Sequence, residues 1–110
     1  MNGERFSAFV TKADGNIIRL KLNENSISNI LSDLGFVYDE TLSEYTLTTS
    51  GAQEKARVFE KLRAAGVCFS AGKEWCPAEV FEYLRDKGLL SGSFKKISWR
   101  GPDDYHITVE

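Results

Sequence analysis

The stretch Ser50–Gly66, SGAQEKARVFEKLRAAG, contains a helix start, an amphipathic helix and a helix stop in one run. Ser50 is a typical N-cap residue, and Gln53 three positions later completes a predicted capping box. Apolar residues then recur at the spacing of one helix face: Ala52, Ala56, Val58, Phe59, Leu62 and Ala65. Gly66 ends the predicted helix, because glycine adopts the left-handed conformation of a helix C-terminus at low cost. One side of this helix therefore requires a sheet to pack on.

Two further helices are predicted, over Ser26–Leu34 and Cys76–Gly88, and each also ends at a glycine four residues after a leucine. Asn25 or Ser26 caps the first of them. Pro77 suits the first position of the other. Their predicted buried stripes are Ile27, Ile30, Leu31 and Leu34 in one and Val80, Phe81 and Leu84 in the other. The unequal spacing of the three helix ends excludes a solenoid repeat.

Period-two alternation predicts three hairpins and one more strand. The first hairpin runs from Arg5 and turns at 13–15, with an inward face of Phe6, Ala8, Val10, Ile18, Leu20 and Leu22. The second joins 36–40 to 44–49, with Phe36, Tyr38, Tyr45 and Leu47 on one face and Val37, Asp39, Glu44, Thr46 and Thr48 exposed on the other. The short apolar run VCFS at 67–70 is predicted to be a buried strand. The third hairpin surrounds RGPDD, with an inner face of Ile97, Trp99, Tyr105, Ile107 and Val109.

These elements predict one α+β domain over residues 1–110, with the order ββαββαβαββ and three short helices packed mainly on one face of an antiparallel or mixed sheet. A chain of 110 residues buries enough surface to fold without disulfides or metal. Cys68 and Cys76 lie in no CxxC pattern, so reduced thiols are expected and no cofactor or metal is predicted. The chain shows neither a signal peptide nor a membrane span, which predicts a cytoplasmic protein without a membrane partner.

The net charge of −2 conceals an uneven distribution. Between Leu22 and Glu54 there is no lysine or arginine, while the acidic residues there are Glu24, Asp33, Asp39, Glu40, Glu44 and Glu54. From 85 to 100 the pattern reverses, with Arg85, Lys87, Lys95, Lys96 and Arg100 against Asp86 alone. The sequence therefore predicts a surface with two poles.

Catalytic chemistry has little support in the sequence. His106 is the only histidine, which excludes a site built on several imidazoles. There are two pairs of adjacent carboxylates, Asp39 with Glu40 and Asp103 with Asp104. Adjacent residues on a strand point to opposite faces, so such a pair does not face one pocket. Turn formation explains the second pair. The segment GAQEKA lacks the second glycine and the Lys-Ser/Thr of a P-loop. We therefore predict a protein that is not an enzyme.

The acidic run is interpreted as a docking surface for a basic protein, where complementary charge accelerates encounter. Its predicted binding residues are Asp33, Tyr38, Asp39, Glu40, Glu44 and Tyr45. The competing interpretation is a solvated face that only keeps the protein soluble. An alternative function is binding of nucleic acid by the basic and aromatic C-terminal hairpin, through Lys95, Lys96, Trp99 and Arg100.

A small, acidic, cytoplasmic α+β chain without catalytic residues resembles the bacterial immunity proteins, which neutralise secreted nuclease toxins by covering their cationic active sites. The resemblance rests on size, charge pattern and missing catalytic chemistry. It involves no shared motif, so no residue is assigned a role from it. It implies an inhibitor whose partner is a basic, nuclease-like protein.

Overall fold

The computed structural model describes residues 6–23, 27–72, 75–101 and 104–109. The elements along the chain are β1 (Ala8–Lys12), β2 (Ile17–Leu22), α1 (Ser28–Leu34), β3 (Val37–Asp39), β4 (Glu44–Thr48), α2 (Ala52–Ala64), β5 (Val67–Ser70), α3 (Pro77–Asp86), β6 (Lys95–Gly101) and β7 (Asp104–Val109). This order is the one predicted from the sequence, and it confirms the α+β class.

All seven strands form one mixed sheet in the order β3-β4-β2-β1-β5-β6-β7. The three predicted hairpins are the antiparallel pairs β1-β2, β3-β4 and β6-β7. Strand β5 lies between two of them and pairs in parallel with both β1 and β6. Residues 67–69 are also buried on both faces of the sheet, with Val67 and Phe69 in the main core and Cys68 in a second cluster on the opposite face, which explains why this short run is entirely apolar.

The helices cover one face of the sheet. The main core contains Leu31 of α1, Phe59 of α2 and Phe81 of α3 against inward residues of the strands. Four fully buried phenylalanines pack around its centre, with ring centroids 4.8 to 6.4 Å apart: Phe59, Phe69, Phe81 and Phe94. Aromatic burial of this size supplies a large share of the stability.

A second, smaller cluster lies on the face without helices. It contains Phe6, Cys68 and Ile97, with the half-buried Phe9, Tyr105 and Ile107 against them. The prediction that Phe6 shares the face of Ala8 and Val10 is therefore wrong. Strand β1 begins only at Ala8, so strand alternation does not extend back to Phe6.

The three predicted glycine stops are confirmed, because Gly35, Gly66 and Gly88 have φ of 100°, 83° and 73°. The predicted capping box of α2 is wrong. The N-cap residue is Gly51, and the Ser50 backbone N–H instead donates to Oε1 of Glu54 at 2.8 Å. The N-cap of α1 is Ile27, while the predicted caps Asn25 and Ser26 lie outside the described residues. In the described part of the chain, no helix is both long enough and apolar enough to span a bilayer.

Candidate functional site

The two predicted binding regions lie at opposite edges of the sheet. Strand β3 forms one edge and β7 the other, with five strands between them. At a strand spacing of about 4.8 Å, the edges are about 29 Å apart. One ligand of ordinary size cannot therefore contact both regions, and each is described by itself.

At the β3 edge, Tyr38 and Val37 are 50% and 67% exposed. The Tyr38 ring contacts Tyr45 on β4, with centroids 5.2 Å apart in an edge-on arrangement. Leu42 in the connecting turn is also exposed. Apolar side chains therefore project from both faces and from the tip of this hairpin, at an edge strand of three residues.

The acidic residues of the predicted surface differ in their roles. Asp33 near the end of α1 and Glu40 in the β3-β4 turn are exposed. Asp39 is half-buried, and its Oδ1 accepts hydrogen bonds from the backbone N–H groups of Thr41 and Leu42 at 2.9 and 3.2 Å. Its carboxylate therefore shapes the turn that presents Glu40 and Leu42.

The prediction that Glu44 is exposed is wrong. Its side chain is only 5% exposed, and its Oε1 accepts a hydrogen bond from Nε of Arg19 at 2.8 Å and lies 2.8 Å from Nη2 of the same guanidinium in an ion pair. Glu44 lies on the helix-free face beside β2, where Arg19 is on the adjacent strand. The negative charge of Glu44 is thus compensated by Arg19 within the fold, and the ion pair links the β3-β4 hairpin to β2.

The basic set at the other edge is divided between the two faces of the sheet. Lys96 pairs in register with the buried Phe69, which places it on the helix-covered face, where it is half-buried. Lys95 and Trp99 lie on the opposite face and are exposed. Arg100 is exposed next to the irregularity between Trp99 and Gly101. The four residues therefore do not form one continuous surface.

Trp99 instead belongs to a group of four rings on the helix-free face, which we call the aromatic face: Phe6, Phe9, Trp99 and Tyr105. The Trp99 ring lies 5.9 Å from Phe6, 5.3 Å from Phe9 and 5.5 Å from Tyr105. The predicted inner face of β6-β7 is thus correct in its set of residues, but none of the described helices covers it. Trp99 and Val109 are exposed for that reason.

The potential catalytic residues are dispersed. His106 is exposed on β7, Cys68 is buried in the sheet and Cys76 is the N-cap residue of α3. Asp104 is exposed, and Asp103 lies outside the described residues. Within residues 6–23, 27–72, 75–101 and 104–109, no group of three His, Cys, Asp or Glu side chains is arranged to hold a metal ion.

Lys55 is the residue that the sequence analysis missed. Lys55 is not among the apolar residues predicted for the buried face of α2, yet it is only 8% exposed. Burial lowers the pKa of its ammonium, an effect that the negative charge of Asp14 partly offsets. The pattern did contain a signal, because Lys55 lies four residues before Phe59 and seven before Leu62, on the same helix face.

Comparison of the chain with protein-family models, with curated proteins and with solved structures finds no match.

Proposed function

We propose that this protein is a non-enzymatic binding module that docks on a basic protein partner through its β3-β4 hairpin. The observation that carries the proposal is the exposure of Val37 and Tyr38 on an edge strand beside the acidic turn residue Glu40. An exposed apolar strand at a sheet edge is an aggregation hazard, which proteins tolerate where a partner covers it.

Tyr38 is the expected anchor of the interface. Tyrosine buries a large, rigid ring at low entropic cost and still offers a hydroxyl group for hydrogen bonding. Its contact with Tyr45 orients the ring before a partner arrives, so less conformational freedom is lost on binding.

The acidic side chains of the proposed surface favour a basic partner. Glu40 and Asp33 are exposed and acidic, and Asp39 adds a third carboxylate at the end of β3. A cationic protein surface complements these groups and meets them faster at low ionic strength. The cleft of a nuclease is such a surface, and an inhibitor of the toxin-immunity type would cover it.

The experiment compares two matched double variants. Tyr38→Ala with Glu40→Gln alters the proposed surface, while Tyr83→Ala with Glu82→Gln removes an equally exposed tyrosine and an exposed glutamate from α3. Tagged chains are used to capture proteins from native cell extract at low salt, and the captured partner is then purified and titrated by calorimetry.

We expect a basic protein in stoichiometric amount that binds the wild type and the α3 variant alike. Loss of an anchoring tyrosine typically weakens binding by about 2 kcal/mol, or about 30-fold. Inhibition of the partner's nuclease activity would establish the immunity type. Equal binding by both double variants would rule out the hairpin as the docking surface.

The aromatic face supports a second candidate function, binding of single-stranded nucleic acid. Four rings lie together on a sheet face that no helix of the described residues covers, and the exposed Lys95 is on the same face. Bases stack on such rings while lysines neutralise the phosphates. Quenching of the tryptophan fluorescence by a single-stranded oligonucleotide, absent in Trp99→Phe and lost in Lys95→Gln at low salt, would support this function. Unchanged fluorescence of the wild type would exclude it.

A further inference from the structure

The two edges of the sheet differ in length and in protection. Strand β7 is an edge strand of six residues, whereas β3 at the other edge has only three. Among the described residues, no strand pairs with the outer side of β7. Proteins usually protect such an edge with a lysine, a proline or a very short strand. The run 105–109, YHITV, contains no lysine, proline or acidic residue, so this edge is open to pairing with another strand.

The helix-free side of β7 carries its apolar residues. Tyr105 and Ile107 are half-buried there against the cluster of Phe6, Cys68 and Ile97. Val109 follows in the same row, by strand alternation, and is 67% exposed. The small cluster therefore ends in an apolar border along the outer edge of the sheet.

The helix side of β7 leaves room for a neighbouring sheet. His106 and Thr108 point to this side, because they alternate with the apolar row. His106 is exposed, and so is Ser98, which lies opposite it on β6. The described helices therefore do not cover this edge, and another chain can approach it without meeting them.

The residue pattern of β7 is complementary to itself. When two copies pair antiparallel around Ile107, each Ile107 faces its counterpart, and each Tyr105 faces Val109 of the other copy. His106 then faces Thr108, so no two groups of like charge lie opposite each other. A pairing centred on His106 would place two histidines opposite each other, and a shift by one residue would set apolar residues against polar ones.

Pairing between unlike edges is less favourable. Strand β3 offers only three residues to the β7 strand of another copy. Such a contact would also leave one free edge on each copy, and it would repeat into an open fibre. A two-fold pairing of β7 with β7 closes after two copies.

We propose that two copies of this chain associate through their β7 strands, in antiparallel pairing around Ile107, so that their two seven-stranded sheets become one. A two-fold axis perpendicular to the sheet places the helices of both copies on one side and both aromatic faces on the other. The β3-β4 hairpin of each copy lies at the far edge and remains accessible to the proposed basic partner.

The dimer should be weak and reversible. Pairing over 105–109 is only about 17 Å long. An interface of this length buries less than about 1,200 Å², which is typical of transient complexes. We expect a dissociation constant of about 10–100 μM.

The test compares the wild type with two matched valine variants. Val109→Lys places a charge in the proposed interface, and Val37→Lys makes the same change at the β3 edge. Both valines are 67% exposed, so neither substitution removes a buried side chain, and equal urea midpoints would verify that both variants fold. Self-association is followed by sedimentation velocity from about 10 μM to about 1 mM.

We expect the wild type and Val37→Lys to dimerise alike. Val109→Lys should dimerise about 10-fold more weakly, because symmetry removes two contacts between Tyr105 and Val109 at once. A wild type that stays monomeric at about 1 mM would overturn the proposal. A dimer that Val37→Lys weakens and Val109→Lys does not would overturn it as well.

Nuclear Overhauser effects test the register on the wild type itself. Within one copy, Tyr105 and Val109 are about 14 Å apart along the strand, too far for a direct effect. In a mixture of carbon-13-labelled and unlabelled chains, we expect an effect between the Tyr105 ring and the Val109 methyl groups of different copies. Its absence from a sample that sedimentation shows to be dimeric would overturn the β7 pairing. Val109→Lys should still bind the basic partner as the wild type does, so the dimer and the docking surface are tested separately.

Discussion

The ion pair between Glu44 and Arg19 gives the most discriminating prediction about stability. Substituting Glu44→Gln keeps the size and one acceptor oxygen of the side chain but removes its charge. Oε1 accepts the hydrogen bond from Nε of Arg19 at 2.8 Å and lies 2.8 Å from Nη2 in the ion pair. The substitution therefore weakens a charge-assisted hydrogen bond and removes the ion pair without creating a cavity.

The size of the effect follows from the burial of the two partners. A hydrogen bond to a charged group stabilises the folded state by about 1.5–3 kcal/mol. A hydrogen bond with an ionised partner is roughly twice as strong as one between two neutral groups. Glu44 is 5% exposed, but the Arg19 side chain is 35% exposed, so water compensates in part. We expect Glu44→Gln to lower the free energy of unfolding by about 1–2 kcal/mol.

The assay is urea denaturation followed by far-ultraviolet circular dichroism. For an m value of about 1.5 kcal/mol per molar urea, a loss of 1.5 kcal/mol moves the midpoint by about 1 M. The matched control is Glu40→Gln, a nearby exposed glutamate that should leave the midpoint unchanged. Combining Glu44→Gln with Arg19→Met in a double-mutant cycle isolates the interaction between the two residues.

The reasoning would be refuted by a Glu44→Gln midpoint equal to that of the Glu40→Gln control. A coupling energy near zero in the cycle would also refute it, since the loss would then arise elsewhere. If Glu44→Gln greatly weakened partner binding and left the free energy of unfolding unchanged, Glu44 would belong to the docking surface, which its burial in the structure contradicts.

Three further predictions use the same denaturation assay. Phe81→Ala removes a fully buried ring 4.8 Å from Phe94 and should cost about 3–5 kcal/mol, so a loss below about 1 kcal/mol would contradict the described core. Gly35→Ala forces φ of 100° on an alanine and should cost about 1–2 kcal/mol, whereas the control Gly15→Ala, with open space around its Cβ, should cost little. Burial lowers the pKa of Lys55 in the folded state below 10.5, so the unfolded chain binds more protons than the folded one as the pH approaches that value. The free energy of unfolding of the wild type should therefore rise with pH relative to that of Lys55→Met. Parallel plots of unfolding free energy against pH for the two proteins would disprove this.

Local sequence signals predicted the elements of this fold correctly because their causes are local. A glycine that must adopt positive φ acts through its own backbone, and Gly35, Gly66 and Gly88 end or follow their helices as predicted. Strand alternation likewise depends on neighbours in the chain, so the placement of Tyr38 and Tyr45 on one face of the sheet was predictable.

The binding regions were less predictable because they depend on strand order. Glu44 lies on the polar face of its own strand, and only the neighbouring β2 brings Arg19 to it. The basic residues at 95–100 are adjacent in sequence, yet a strand divides them between two faces. Lys55 lies where the β1-β2 turn and α3 both come near the start of α2, and these segments are far apart in the chain.

The central position of β5 affects the order in which the parts of the sheet assemble during folding. This four-residue strand joins the antiparallel group β3-β4-β2-β1 to the β6-β7 hairpin, and it pairs Ala8 with Val67 across more than half of the chain. Hairpins close short loops and form early. A parallel pairing between strands far apart in sequence loses more chain entropy on closing its loop before its contacts stabilise the fold. We infer that docking of β5 completes folding, so its amide protons should exchange with solvent only when the whole domain unfolds.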